Sequence, residues 1–318
     1  MKQKTKRVIH RCLSPLLTAG ILLTTQGIYA QEGERKLPSN PMHHCTKQDD
    51  GTDNTDWSYV YFGSYPQREV VGDALTSAVT EASYDSNGDA WVDGTKYRRI
   101  SKSDTNYGGY FGDSDYRYFK WEPIKWRVLK NDGSTLFVLA ERGLDCKDYN
   151  EEFISVTWED CTIRDWLNDS FYQTAFTSEE QDAVVSETVV NENNPKYGTE
   201  GGKNTNDKVC LLSIGDAADP SYGFCEDYNT HSVSRRMNSS DYAHARGAYK
   251  SIDEYGDSSW WLRSPGSTAD SAANVVNFGG VYGDGCSVHN INVAIVPALH
   301  INLSSDLWSL AEDESSRK

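Results

Sequence analysis

Six cysteines beyond the first thirty residues are the side chains with the most obvious chemistry: Cys45, Cys146, Cys161, Cys210, Cys225 and Cys286. Cys146 and Cys161 stand fifteen positions apart, as do Cys210 and Cys225, so local closure makes these the expected disulfide pairs. Buried free thiols are the alternative, and the spacing leaves both open. No Cys-x-x-Cys motif and no zinc-type Cys/His spacing occurs, so we expect no metal site.

Motifs of the common enzyme classes are missing from the sequence. There is no HExxH, no Walker loop, no GxSxG elbow and no GxGxxG after a strand. His231, His244 and His289 have no recognisable nucleophile beside them. We therefore favour a non-catalytic protein without a cofactor.

The amino terminus has the pattern of a secretory signal peptide. Residues 2–7 are rich in Lys and Arg, and an apolar run at 12–29 ends before Ala30. The run is short and broken by Pro15 and Gly20, which favours cleavage over a membrane anchor. We expect an exported protein, extracellular or at the cell surface, with no membrane insertion after cleavage.

The net charge of the cleaved chain limits the classes of ligand that we expect it to bind. Cleavage after Ala30 leaves 26 basic and 47 acidic side chains, a formal charge of −21. Nucleic acids and anionic lipids attract basic partners, so neither is expected to bind. An unidentified protein or glycan is the expected ligand, and the chain is expected to be a monomer.

Local patterns predict an α+β protein. Apolar runs at 124–130 and 135–140 flank an Asp-Gly turn and predict a hairpin. Helical spacing of apolar residues predicts a helix at 162–176, and Thr177 can cap a second. Two further turns are expected, at 63–66 and at Asn87–Gly88. The expected organisation is a signal peptide at 1–30, a flexible leader at 31–55, one domain at 56–303 and a polar tail at 304–318.

The carboxy-terminal segment has a composition suited to contact. Between Arg263 and Glu312 there is no Lys, Arg, Glu or Gln. Small residues and valines form a frame, and Tyr, Asn, Ser and Gly lie between them, as in many recognition surfaces. The predicted ligand-binding residues are Asn274, Asn277, Phe278, Tyr282, Asp284, His289, Asn290 and Asn292. A plain β-meander with loop residues is the alternative.

Seven motifs in order resemble bacterial domain-of-unknown-function family 6273, which is found in exported proteins. They are YFGSYPQ (61–67), DGTKYRR (93–99), WEPIKWRVL (121–129), TIRDWLN (162–168), TNDKV (205–209), WWLRSPG (260–266) and PAL (297–299). The resemblance implies a C-type-lectin-like fold, with short twisted antiparallel strands, two helices and long loops.

The same resemblance sets the functional expectations. It implies an exported domain that recognises a protein or glycan surface through its carboxy-terminal segment, similar to binding proteins diversified by retroelements. Mutation of adenines in Asn-type codons never yields Lys, Glu, Gln, Met or Trp, and fifteen interleaved positions between 274 and 293 avoid all five. The alternatives are a cysteine/copper oxidase of the formylglycine-generating type and a non-binding cell-surface structural module.

Overall fold

The strands alternate with short helices and long loops. The computed structural model describes residues 35–44, 54–105, 108–252 and 258–311. Residues Leu37–Lys318 form one unit, and of the unit Met1–Lys36 only residues 35 and 36 are described. The predicted signal peptide, Cys45 and residues 46–53 of the leader therefore lie outside the described residues.

Eighteen strands occur in the described ranges. In chain order they are β1 (Met42–His44), β2 (Asn54–Asp56), β3 (Tyr59–Glu69), β4 (Asp89–Val92), β5 (Thr95–Ser101), β6 (Tyr116–Asn131), β7 (Thr135–Ala140), β8 (Asp145–Cys146), β9 (Val184–Val185), β10 (Glu187–Val189), β11 (Thr205–Asp207), β12 (Val209–Cys210), β13 (Trp260–Pro265), β14 (Ser271–Val275), β15 (Val281–Ser287), β16 (Ala294–Ile295), β17 (Ala298–Asn302) and β18 (Ser309–Leu310).

The helices are few and short. They are α1 (Ser77–Thr80), α2 (Thr162–Trp166), α3 (Tyr172–Ala175), α4 (Ser178–Ala183) and α5 (Asp241–Arg246). A π-helical turn, Leu167–Phe171, joins α2 to α3, so the predicted helix at 162–176 is confirmed. The predicted capping box at Thr177 is also confirmed, because its side chain accepts the Glu180 N–H at the start of α4.

Two larger sheets carry the architecture. In the described chain, a nine-stranded sheet follows the path β12-β17-β7-β6-β3-β18, with β5 also paired to β6, β4 to β5 and β9 to β17. A five-stranded sheet has the order β15-β14-β13-β16-β8. Val60, Trp126 and Leu139 of the first sheet and Trp260 and Trp261 of the second belong to one buried core. The α+β class predicted from the sequence is therefore correct.

The structure confirms one predicted hairpin and corrects the predictions made for two other turns. The hairpin of β6 and β7 forms around Asp132, whose carboxylate accepts the N–H groups of Ser134 and Thr135. The predicted turn at 63–66 is wrong, because β3 continues through it with a register shift. A turn does form at Asn87–Gly88, where the Gly88 N–H is donated to the Asp85 carbonyl, but it is not a hairpin loop: β4 and β5 turn at Asp93 and Gly94, both with positive φ.

Both ends of the predicted domain extend further than expected. In the leader, Met42–His44 pairs with Asn54–Asp56 as a two-stranded sheet. In the tail, Trp308 is buried and β18 pairs with β3. The boundary predicted at 56 falls on the last residue of β2, and β18 lies beyond the one predicted at 303.

A buried arginine fixes the β14–β15 hairpin to the core. Arg235 is 0% exposed. Its five N–H groups are donated to five backbone carbonyls, those of Ala217, Cys225, Asp227, Thr230 and Gly279. A charged donor that is fully hydrogen-bonded can be buried without an uncompensated desolvation penalty. The carbonyl of Gly279 thereby anchors the hairpin tip.

Substitution of Gly279 should test this anchor. Gly279 has a φ of +87°, and an added Cβ would lie 1.9 Å from the carbonyl oxygen of Ser232. We expect Gly279→Ala to lower the free energy of unfolding by at least about 3 kcal/mol. Gly94→Ala is the matched control, since its φ is +75° with no atom within 4 Å of the new Cβ. It should cost only roughly 1–2 kcal/mol of left-handed strain. Equal losses in urea denaturation would contradict the proposed close packing.

A second packing feature, a stacked histidine, makes the stability of the fold depend on pH. His300 on β17 is the register partner of Phe137 on β7, and their rings stack with centroids 4.5 Å apart. Burial lowers the pKa of His300 below its ordinary value of 6.5. The folded state therefore binds fewer protons than the unfolded state just below pH 6.5.

Stability should consequently fall as the pH drops below 6.5 and level off below the folded-state pKa of His300. Above pH 6.5 the imidazole is neutral in both states, and its contribution is fully present. A His300→Phe variant keeps a stacking ring but cannot be protonated. The difference in unfolding free energy between the two proteins should vary with pH only in the acid range, and a constant difference would refute the assignment.

Candidate functional site

The predicted contact residues lie on and around the hairpin of β14 and β15. The two strands pair antiparallel, and residues 276–280 form the tip. Asn277 and Phe278 lie in this tip, and Tyr282 follows on β15. The ring of Phe278 contacts the ring of His231 at a centroid distance of 4.1 Å. Two of the predicted aromatic side chains, Phe278 and Tyr282, are exposed.

A second group of predicted residues lies at the other end of the hairpin. His289, Asn290 and Asn292 follow the end of β15 at Ser287. Seven residues of extended chain span about 20 Å, so this group is remote from the tip. Nδ1 of His289 lies 3.0 Å from the carboxylate of Asp148, whose pKa is raised by burial. The structure therefore divides the predicted set into a tip group and a remote loop group.

Of two further predicted residues, Asn274 is buried and Asp284 is hydrogen-bonded within the protein. Asn274 is only 4% exposed, because its side chain points inward from a strand that is buried on both faces. Asp284 accepts hydrogen bonds from the Tyr197 hydroxyl and from Lys196, which together lower its pKa. Asn274 is therefore removed from the candidate contact set.

A large cavity lies on the outer face of the nine-stranded sheet. We call it the sheet groove; its volume is about 1150 Å³. Its base comes from β3 and β6, in which Tyr59 faces Arg127 and Tyr61 faces Lys125. Between them, Val60 and Trp126 are paired and fully buried. Because side chains alternate along a strand, the same two strands supply both the core and the groove.

Aromatic rings and cations are layered along the sheet groove. Nζ of Lys125 lies 4.3 Å from the centroid of Tyr59, and the Arg127 guanidinium lies 4.4 Å from the centroid of Trp57. Arg127 also donates to Glu141 at 2.7 Å. Tyr61 is 37% exposed. The groove thus offers apolar ring faces beside fixed hydrogen-bonding groups, the combination expected of a binding site for a polar ligand.

A second cavity of about 470 Å³ extends this surface across the edge of the sheet. It shares the segment 120–123 of β6 with the sheet groove. Its lining includes Trp91 on β4, which is 71% exposed, and Lys96, whose ammonium lies 3.5 Å from the ring centroid of Trp121. The aromatic surface therefore continues beyond the sheet groove.

The hairpin tip adjoins the opposite end of the sheet groove. Val233 and Arg236 line the groove, and Nε of Arg236 donates to the carbonyl of Phe278 at 3.3 Å. The tip group and the groove thus form one surface. Sequence reasoning missed the groove residues, although Tyr59 and Tyr61 alternate with Val60 and Phe62 as a one-sided strand requires.

The cysteines do not form the expected pairs. Cys146, Cys161 and Cys210 are buried free thiols, so the predicted Cys146–Cys161 and Cys210–Cys225 disulfides are not formed. The Cys146 thiol donates to Ile291 and Val293 carbonyls, and the Cys161 thiol donates to that of Trp158. Fifteen-residue spacing allows closure of a loop but does not require that the two side chains meet.

The environment of these thiols is unsuited to nucleophilic chemistry. Burial raises the pKa of Cys161 and of Cys210 to about 12, and that of Cys286 to about 11. Reactive cysteines have a lowered pKa, because the thiolate is the attacking species.

Among the described residues, no three His, Cys, Asp or Glu side chains are grouped as metal ligands, and no helix is long and apolar enough to cross a membrane.

Two of the sequence motifs meet in space. Arg164 of TIRDWLN donates to the buried carboxylate of Asp207 in TNDKV. Asn168 accepts the N–H groups of Lys208 and Val209 and donates to the Val209 carbonyl. The two motifs are therefore halves of one helix-to-strand junction.

The chain belongs to the family described as a domain of unknown function (DUF6273), whose model matches residues 133–303. The three motifs at 61–67, 93–99 and 121–129 precede the matched region. Neither a curated protein nor a solved structure matches the chain.

Alkylation should verify the state of the buried cysteines. In the folded protein, Cys146, Cys161 and Cys210 should resist iodoacetamide, because they are buried and protonated. After unfolding without a reductant, mass spectrometry of the peptides should find all three alkylated. A cross-linked peptide containing any of them would contradict the free-thiol assignment.

Proposed function

We propose that the protein is an exported glycan-binding domain whose binding surface consists of the sheet groove and the hairpin tip. The observation that carries this proposal is the continuous surface from Trp91 through Tyr61 to Phe278, in which ring faces lie beside amide, carboxylate and guanidinium groups. Sugars have apolar C–H faces surrounded by hydroxyls. The aromatic rings of such a surface can pack against the C–H groups, and its polar side chains can hydrogen-bond to the hydroxyls. The acidic chain also disfavours nucleic acid as the extended polar ligand.

This proposal retains only part of the predicted carboxy-terminal contact set. Asn277, Phe278 and Tyr282 remain in it, since they lie at or beside the tip. His289, Asn290 and Asn292 are left out, because they lie at the other end of β15. A C-type-lectin-like arrangement remains part of the proposal, supported by the adjacency of the β13–β14–β15 unit to the larger sheet through one core.

The test is a glycan array followed by calorimetry on the hits. Tyr61→Ala and Phe278→Ala should each weaken binding about tenfold or more, because each removes a ring face worth about 1.4 kcal/mol. Tyr61 and Phe278 are both part-exposed at the groove and the tip, so their truncation should leave the core intact.

Asn292→Ala is the matched control from the remote loop group, where the side chain is exposed. It should bind as the unaltered protein does. Loss of binding in Asn292→Ala with retention in Tyr61→Ala would transfer the site to the remote loop, and an array without hits would reject glycan binding.

A further inference from the structure

A third cavity is built around arginine side chains. Its volume is about 510 Å³, and it shares no lining residue with the sheet groove. Arg98 and Arg99 of β5 and Arg246 of α5 line it. We call it the arginine cavity. In a chain of formal charge −16, this one cavity brings together three guanidinium groups beside the carboxylates of Asp85, Asp104 and Asp145.

The floor of the arginine cavity is a fixed polar network. Asp145 is 4% exposed and accepts a hydrogen bond of 2.6 Å from the Tyr65 hydroxyl. Burial raises the pKa of Tyr65, so this hydroxyl remains the donor. Nε of Arg246 lies 3.4 Å from the same carboxylate, yet this buried nitrogen has no hydrogen-bond acceptor among the described residues. The floor therefore holds a buried N–H group that a ligand oxygen can satisfy.

The arginines at the wall of the cavity differ in their partners. Arg98 is neutralised by Asp89, which accepts hydrogen bonds from its Nε and Nη2. Arg99 has no carboxylate within ion-pair distance in the described chain. Its guanidinium lies 4.6 Å from the ring centroids of both Tyr84 and Tyr116.

The acidic residues that share this lining are occupied by the backbone. Asp85 accepts the N–H groups of Asn87 and Asp89, and Asp104 accepts the N–H of Ser101. The Arg99 guanidinium thus lies against two rings and forms no ion pair with these carboxylates in the described chain. A planar carboxylate matches the fork of such a group.

The rest of the lining favours hydroxyl groups over an apolar ligand. Ser101, Ser170 and Thr174 contribute hydroxyls, and Trp166 contributes a ring at the side of the cavity. The volume lies within the range of small-molecule sites and accommodates one sugar ring. We propose that the arginine cavity binds the carboxylate-bearing unit of an acidic saccharide, with Arg99 on the carboxylate and the serine, threonine and Arg246 groups on its hydroxyls.

A pair of probes that differ in one group tests the carboxylate directly. Methyl glucuronide carries a carboxylate where methyl glucoside carries a hydroxymethyl group. Calorimetry on the full chain should show that the glucuronide binds at least about tenfold more tightly, the effect of one charge-assisted pair. Arg99→Gln should remove that advantage.

Two further variants distinguish a loss of charge in the arginine cavity from a change in its shape and from a general loss of folding. Ser170 is exposed on the π-helical turn, so Ser170→Trp should block the cavity mouth without altering the core or any charge. It should weaken glucuronide binding at least about tenfold. Arg68→Gln is the matched control, because Arg68 pairs with Glu122 outside the cavity and its side chain is 63% exposed. It should bind the glucuronide as the unaltered protein does.

Several results would overturn the proposal: no glucuronide binding by the unaltered protein, equal affinity for the two glycosides, or unchanged binding in Arg99→Gln. The arginine cavity shares no lining residue with the sheet groove and only Thr174 with the second cavity, so Arg99→Gln with the glycoside pair tests a different site from Tyr61→Ala with the array hits. An array failure at the groove and a failure of the glycoside pair here are therefore separate results.

Discussion

The guanidinium of Arg235 is the interaction on which the carboxy-terminal half of the structure depends. Five carbonyls from the 217–230 loops and the hairpin tip point at one buried cation. Without it, each carbonyl would be buried without a donor or would have to open to water. The Arg235 carbonyl in turn accepts the indole N–H of Trp260, so the same residue connects the loops, the tip and β13. A lysine has too few donors and the wrong geometry to replace it.

This anchor also accounts for the form of the proposed binding surface. The tip adjoins the sheet groove through Arg236, the residue next to the anchor in sequence. The tip is held through backbone carbonyls, and the Phe278 ring adds a contact with His231. Substitution of Asn277 therefore changes the surface without changing these contacts, whereas Gly279 within the tip is bound to its conformation.

Local chemistry was predictable from the sequence, and long-range register was not. The hairpin at Asp132 and the helix cap at Thr177 depend on residues within a few positions of one another, so the sequence predicts both. Asn87–Gly88 and Asp93–Gly94 carry the same local signal, and only the pairing of β4 with β5 selects the second. The sheet groove escaped prediction for the same reason, because Tyr61 meets Lys125 across 64 positions of chain. The arginine cavity joins residues still further apart, Arg99 and Arg246.

The region matched by the family model does not contain all the strands that pair in the larger sheet. The match begins at residue 133, inside the turn between β6 and β7, and ends at 303, before β18. A chain cut to those limits would keep β7 and lose its partner β6. Leu136, Val138 and Ala140, all fully buried in the intact sheet, would then lie along an open edge. Unpaired apolar edges recruit other chains, so such a fragment would self-associate, and β6 is needed to cover this edge.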